Sequence, residues 1–400
     1  MSGGSPLRVL HVGKYYPPIR GGIESYLKDL TGALKSKGVA CSIIVHEPAG
    51  KLLRSGERDE ASLVLAASYG ELLYTPISPV FPFVLASSVR RFSPHIIHLH
   101  LPNVSAFWCL AIPGARAVPW VIQWQSDVVQ SAIDPRLRPA YALYRPFEQG
   151  LLRGAASVIV SSGAYLEGSA PLIPWRDKCR IVTLGLDTER LPWPDAGAVA
   201  HAEKIWNSDD SLRVLAVGRL TYYKGFSVLL EAAAKLKDVR VEIVGEGGMK
   251  RELAERIREL GLEGKVSLRG ELSDEALQGL FATADCLCLP SIERTEAFGM
   301  VLLEAMHYGL RIVASDIPGS GVGWVVRQSG SGILFPPGDA DELASSLKFI
   351  LEERGGRIIG RKKSLLPPKF QIDSVASRVL DIYREITDTG RGTLHPDPFT

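Results

Sequence analysis

The chain has 400 residues, 46% of them hydrophobic and 22% charged, with a formal net charge of +2. That length suits two α/β cores better than one, and the composition excludes a disordered or fibrous chain. The charge is uneven, +5 over the first 200 residues and −3 over the rest, but no dense basic run interleaved with aromatics appears, so no nucleic-acid partner is expected.

Short β-branched runs alternate with longer amphipathic segments, which predicts doubly wound parallel sheets, and the pattern occurs twice. The first copy predicts a strand over 7–12, a loop over 15–22, a helix over 23–37 stopped by Gly38, and a strand over 39–46. Further strands are predicted over 96–100, 120–125, 157–161 and 180–184. Residues 187–211 are rich in Asp, Pro and Gly without clear periodicity and read as a linker. The second copy predicts strands over 212–217, 239–244, 266–269, 286–289 and 311–314. Helices are predicted over 226–237, 249–260, 274–282, 300–308, 341–352 and 372–386. The expected domains are 1–190, a linker 191–211, 212–370, and a terminal helix and tail 371–400 that crosses back to the first domain.

Five scattered cysteines (41, 109, 179, 286 and 288) argue against a disulfide framework and fit a reducing cytoplasm. Cys286 and Cys288 read as strand residues on one face rather than half of a zinc site. No signal-peptide pattern opens the chain, and the most apolar stretches, 77–89 and 104–122, are interrupted by Pro or Arg before spanning a membrane. Phe81, Phe83, Phe107 and Trp108 offer surface attachment to a membrane face as an alternative to core packing.

Three loops of the second copy follow predicted strands, where open α/β sheets bind ligands. The first, Gly218-Arg219-Leu220 with Lys224-Gly225 opening a helix, sets two cations beside free backbone N–H groups. It reads either as a diphosphate site needing no metal or as a solvated loop. The second, Gly245-Glu246-Gly247-Gly248, reads as a phosphate turn or simply a tight connection. The third carries Glu296 and Glu304. If helical throughout, those eight residues rise about 12 Å, too far for a glycoside-hydrolase pair but suited to gripping a sugar and a ribose. Asp339-Ala-Asp341 matches a metal-binding DxD literally, but at the start of a predicted helix it reads as a cap.

The segment 218–339 strongly resembles the family 4 retaining glycosyltransferases of the GT-B fold. The resemblance rests on Val-Gly-Arg-Leu (217–220) with Lys-Gly (224–225), Val-Gly-Glu-Gly (244–247) and Pro-Ser-Ile-Glu-Arg-Thr-Glu-Ala-Phe-Gly (290–299). It continues through Leu-Glu-Ala-Met (303–306), Pro-Gly-Ser-Gly (318–321) and Pro-Pro-Gly-Asp (336–339). It is looser at Pro17-Pro18, Gly21-Gly22-Ile23-Glu24, Ser161 and Leu184-Gly185-Leu186-Asp187. The resemblance implies two Rossmann-like domains facing a central cleft and sugar transfer from a nucleotide diphosphate with retained anomeric configuration. By it, Arg219 and Lys224 bind the diphosphate, Glu296 the sugar hydroxyls, and Phe298, Gly299 and Met300 offer backbone groups. Glu304 takes the ribose and Leu272 lies near the base; Gly21, Gly22, Gly218, Gly245 and Gly247 let backbone approach the donor. It implies no metal and no cofactor.

Where relatives show a His-Ser-Asp triplet this chain has Gln125-Ser126-Asp127, so a proton-exchanging imidazole is replaced by an amide. His100 and Asp127 are candidate cleft or acceptor residues. The expected donor is a UDP- or GDP-sugar, with GDP-mannose the guess. The expected acceptor is a lipid-linked or polysaccharide precursor at the inner membrane face, in exopolysaccharide, O-antigen or lipopolysaccharide synthesis. The alternatives are a nucleotide-sugar epimerase or hydrolase and, motivated by Gln125, a catalytically silent binding subunit.

Overall fold

The computed structural model describes residues 6–47, 54–58, 61–72, 75–128, 137–206, 210–330, 332–353 and 363–389. They form two compact units, one made of Met1–Gly185 with Ile372–Thr400 and the other of Leu186–Gln371.

Unit 1 holds strands β1 (Arg8–Val12), β2 (Ala40–Glu47), β3 (Arg54–Arg58), β4 (Ala61–Ala67), the two-residue pair β5 (Glu71–Leu72) and β6 (Thr75–Pro76), β7 (Ile96–Leu101), β8 (Trp120–Trp124), β9 (Ala155–Val160) and β10 (Cys179–Ile181). Eight of them form one sheet in the order β10-β9-β8-β7-β1-β2-β4-β3. It is parallel apart from the antiparallel edge strand β3. Strand order reverses between β1 and β7, so the connections on either side diverge there. The helices Gly22–Ser36 and Ile372–Thr389 pack against each other, with Lys37 bridging to Asp373 at 3.2 Å. The second of these helices buries Val375, Val379 and Tyr383.

Unit 2 holds β11 (Leu212–Val217), β12 (Val239–Val244), β13 (Val266–Gly270), β14 (Cys286–Leu289), β15 (Arg311–Ser315) and β16 (Gly332–Phe335). The order β13-β12-β11-β14-β15-β16 is the Rossmann order, and every pairing is parallel. Leu212, Val214, Val241, Ile243, Leu229 and Leu347 sit in one apolar cluster, to which Cys286 and Cys288 also belong.

The segment expected as a linker is corrected. Residues Ala196–Trp206 form a helix that packs on the helix Asp274–Thr283. Ala198, Ala202 and Trp206 are its buried stripe, at the spacing of one helical face. The Trp206 indole N–H donates to Thr283 Oγ1 at 2.8 Å, and a side chain at Gly279 would stand 2.7 Å from the Ala198 carbonyl. The Ala-rich run carries few large apolar residues, so its periodicity is faint in sequence.

The helix Leu137–Gly154 contains Pro146, and β4 follows a short antiparallel partner; neither was predicted. The last strand of unit 1 ends at Ile181 rather than 184. Phe81 is fully buried, which corrects its place among membrane-attachment candidates, whereas Phe83 is 76% and Trp108 43% exposed. Among the described residues no helix is long and apolar enough to cross a membrane.

Candidate functional site

In unit 2 the strand order reverses between β11 and β14, so the loops leaving their C-terminal ends diverge around a crevice. The loop after β11 carries Gly218, Arg219 and a short 3-10 turn, Tyr222–Lys224. The loop after β14 carries Ser291 and Glu296. The two are stitched together where the Ile292 N–H donates to the Tyr223 carbonyl at 2.8 Å.

Lys224 meets Glu296 at this join. Nζ lies 2.5 Å from Oε2, and the side chains are only 12% and 10% exposed. Ser291 Oγ donates to the same Oε2 at 3.1 Å, and Ser320 Oγ donates to the Glu296 carbonyl at 2.5 Å. Burial opposes the Lys224 charge, but the Glu296 carboxylate outweighs it, so its pKa is raised above the usual lysine value. Arg219 stands exposed beside this pair.

Glycine is required here by close approach. Gly225 has φ 66, and a Cβ there would lie 2.0 Å from the Pro290 carbonyl oxygen. A Cβ on Gly245, φ 139, would lie 2.1 Å from the Gly218 carbonyl oxygen. The Gly218 N–H donates to Val244 O at 3.0 Å and the Gly245 N–H to Gly270 O at 2.8 Å. These bonds bring the ends of β11, β12 and β13 into one ledge. Gly247 lies against Leu220, whose carbonyl a Cβ would meet at 2.4 Å. Leu272 follows the end of β13 by two residues and is half-buried.

The helix Met300–His307 starts at Gly299, φ 79, and so excludes Glu296. The 12 Å rise assumed for a continuous helix therefore does not apply to Glu296 and Glu304. Ala297 and Phe298 are buried, with Phe298 edge-on to Phe370 at 6.0 Å. Glu304 is partly buried on the new helix, with Arg190 4.0 Å away. Asp339 caps the helix Ala340–Glu353, its Oδ1 accepting from the N–H groups of Asp341 and Glu342 at 3.0 Å.

In unit 1, Gly21 has an extended φ of 174 and caps the helix Gly22–Ser36; neither glycine adopts a left-handed conformation. A Cβ on Gly21 would lie 2.1 Å from a Glu24 carboxylate oxygen, so the Glu24 side chain takes the space that a side chain at 21 would need. Gln125 is 6% exposed, its backbone N–H donating to Leu101 O at 3.0 Å and its Nε2 lacking a partner among the described residues. Asp127 Oδ1 accepts from Trp124 Nε1 at 2.9 Å and Ser169 Oγ at 2.6 Å, which fixes the turn after β8. His100 is 2% exposed and packs against His11 and His98.

Sequence reasoning missed Ser291, Ser320, Tyr223 and Arg190. Ser291 and Ser320 stood inside motifs quoted for the resemblance, yet only tertiary contact gives them a role.

The description "Glycosyl transferases group 1" matches residues 200–363, and "Glycosyl transferase 4-like domain" matches residues 21–185. The chain is 26% identical over 393 residues to the O-antigen chain mannosyltransferase C of Escherichia coli, covering 96% of this chain and 100% of that protein. It is 30% identical over 305 residues to the alpha-D-kanosaminyltransferase of Streptomyces kanamyceticus, covering 72% and 77% respectively. Among solved structures, Anabaena HepE in complex with UDP-glucose superposes with a TM-score of 0.67 at 19% identity, covering 96% of this chain and 99% of that one. The two Rossmann-like units, their ordered glycine and carboxylate motifs and these matches lead to one conclusion: the chain belongs to the group 1 glycosyltransferases of family 4, with the GT-B fold.

Proposed function

We propose that this glycosyltransferase is a retaining, metal-independent hexosyltransferase that uses a nucleotide-diphosphate sugar. The observation that carries the reading is the buried Lys224–Glu296 pair at the switch point of unit 2, with Arg219 exposed beside it. An anion arriving there meets a guanidinium, an ammonium and backbone N–H groups, enough to offset the charge of a departing diphosphate without a cation. Glu296 then accepts hydrogen bonds from the sugar hydroxyls. Glu304 holds the ribose, Leu272 lies against the base, and the backbone of Phe298, Gly299 and Met300 meets sugar and phosphate.

In the proposed step the acceptor oxygen bonds to the anomeric carbon as the bond from that carbon to the phosphate oxygen breaks. The acceptor proton passes to the leaving phosphate on the same face. Gln125 cannot take that proton near neutral pH, which supports giving the role to the phosphate. The acceptor, a lipid-linked or glycan precursor of envelope polysaccharide, is assigned to unit 1. The names of the mannosyltransferase and of the UDP-glucose complex favour UDP- or GDP-sugars, GDP-mannose among them. The exposed Phe83 and Trp108 support peripheral contact with the cytoplasmic face of the inner membrane.

The second reading, a silent binding subunit, rests on Gln125. The purified chain is incubated with donor and acceptor in EDTA, and the product's anomeric configuration is read by NMR. Retained configuration, abolished by Glu296→Gln, supports the transferase. Donor breakdown equal with and without acceptor refutes it in favour of a hydrolase, and donor binding without any turnover leaves the silent subunit.

A further inference from the structure

Three histidines unused by that chemistry converge in unit 1. His98 and His100 alternate on β7, so their side chains leave the same face. His11 on β1 is the register partner of His98 across the strand pair. A His-x-His strand with a third histidine on the neighbouring strand places three imidazoles around one point.

The distances follow. His11 Nδ1 lies 3.1 Å from His100 Nε2, and the ring centroids of His98 and His100 are 4.6 Å apart. One ring nitrogen from each residue lies within 4.8 Å of one from each of the others. All three are buried, at 0%, 0% and 2% exposure. Among the described residues His11 Nε2, His98 Nε2 and His100 Nδ1 have no hydrogen-bond partner, a costly arrangement for histidines that only fill a core. The Tyr383 hydroxyl sits 2.5 Å from His98 Nδ1. With Nδ1–H donating to that oxygen, Nε2 presents its lone pair, and the hydrogen bond on the far side of the ring orients it as in metal-binding histidines. Burial also lowers the pKa of each ring, His100 to about 3, which keeps the neutral form that can ligate.

We propose that His11, His98 and His100 bind one late first-row transition-metal ion, with Zn²⁺ as the reference, inside unit 1. An all-imidazole donor set favours such ions over Mg²⁺ or Ca²⁺. Ligands at 2.0–2.1 Å around a tetrahedral ion stand about 3.3 Å apart, so the His11 Nδ1–His100 Nε2 pair at 3.1 Å is nearly in place and no pair within the 4.8 Å group closes by more than about 1.5 Å. A fourth ligand such as water would complete the tetrahedral shell. The site is separate from the donor-binding loops, which belong to unit 2, and does not depend on the reading given to them.

The test uses the full chain, stripped by chelator dialysis and titrated with Co²⁺ alone. The expected result is uptake of one equivalent with the visible bands of four-coordinate Co²⁺, displaced by Zn²⁺ and unaffected by excess Mg²⁺. Tyr383→Phe should weaken binding by about tenfold, and His98→Gln or His100→Gln by more. No stoichiometric uptake by the wild type overturns the proposal, as does equal uptake in both histidine variants. Where a variant fails to fold, X-ray absorption of the Zn²⁺-loaded wild type decides: a shell with three nitrogens near 2.0 Å upholds the site, and an oxygen-rich shell overturns it.

Discussion

Replacing Glu296 by Gln removes the partner of Lys224 while keeping its volume and an acceptor for Ser291. The ammonium is then stranded where its side chain is only 12% exposed. Breaking one side of a buried pair costs about 3–5 kcal/mol. The lysine can escape by losing its proton, which at pH 7 costs about 4–5 kcal/mol for a group of ordinary pKa near 10.4, so the two limits agree. Removing both partners, as in Lys224→Met with Glu296→Gln, leaves no stranded charge and should restore stability to within about 1 kcal/mol of the wild type. Urea unfolding of the four proteins at pH 7 measures the cycle. Because the Lys224 pKa is raised, the pair's contribution is fully present below the unfolded lysine value and is lost as pH rises through the folded one. The wild type should therefore weaken in strong alkali through this pair and the double variant should not. A Glu296→Gln cost below about 1 kcal/mol, or a double variant as unstable as the two losses summed, would refute the reasoning.

Other outcomes follow from buried groups. Burial first, with nearby Asp127 adding to it and the Tyr141 hydrogen bond opposing, raises the Glu148 carboxyl to about 7. Its favourable contribution is complete below the unfolded pKa and lost as pH rises through about 7, so Glu148→Gln should stabilise the protein at pH 8, by at most about 3 kcal/mol, and leave it unchanged at pH 4. His46, whose Nε2 meets Ser105 Oγ at 2.9 Å, is lowered to about 4 by burial. It should cost stability as pH falls from 6.5 to 4, a slope that calorimetry should find missing in His46→Gln. Trp206→Ala should cost about 3–5 kcal/mol in chemical denaturation, because it empties the buried end of the helix Ala196–Trp206 and leaves Thr283 without its indole donor.

The parallel sheets were legible because their strands are short apolar runs separated by helical periodicity, as in β11 and β12. The helix Ala196–Trp206 was not, since its buried stripe consists of two alanines and one tryptophan in a run where small apolar residues occupy the other faces too. Arg219 and Lys224 could be singled out because each stands beside a glycine, and Glu296 because it lies in the loop just before a predicted helix. Their pairing could not, for the 2.5 Å contact joins residues 72 positions apart. His100 looked like a residue at a strand end open to ligand, but its partner His11 is 89 positions away and only the β1–β7 register reveals the cluster. The Asp127 contact was hidden for the same reason, as Ser169 lies 42 positions further on.

The central claim is that unit 2 holds a nucleotide-diphosphate sugar through Arg219 and Lys224 without a metal. Thermal unfolding of the purified chain with a panel of UDP- and GDP-sugars, in EDTA and in Mg²⁺, tests it most directly, since a ligand that binds only the native state raises its apparent stability. The account expects a rise selective for one base, equal in EDTA and Mg²⁺ and lost in Arg219→Ala. No rise with any donor, or a rise that requires Mg²⁺, would contradict it.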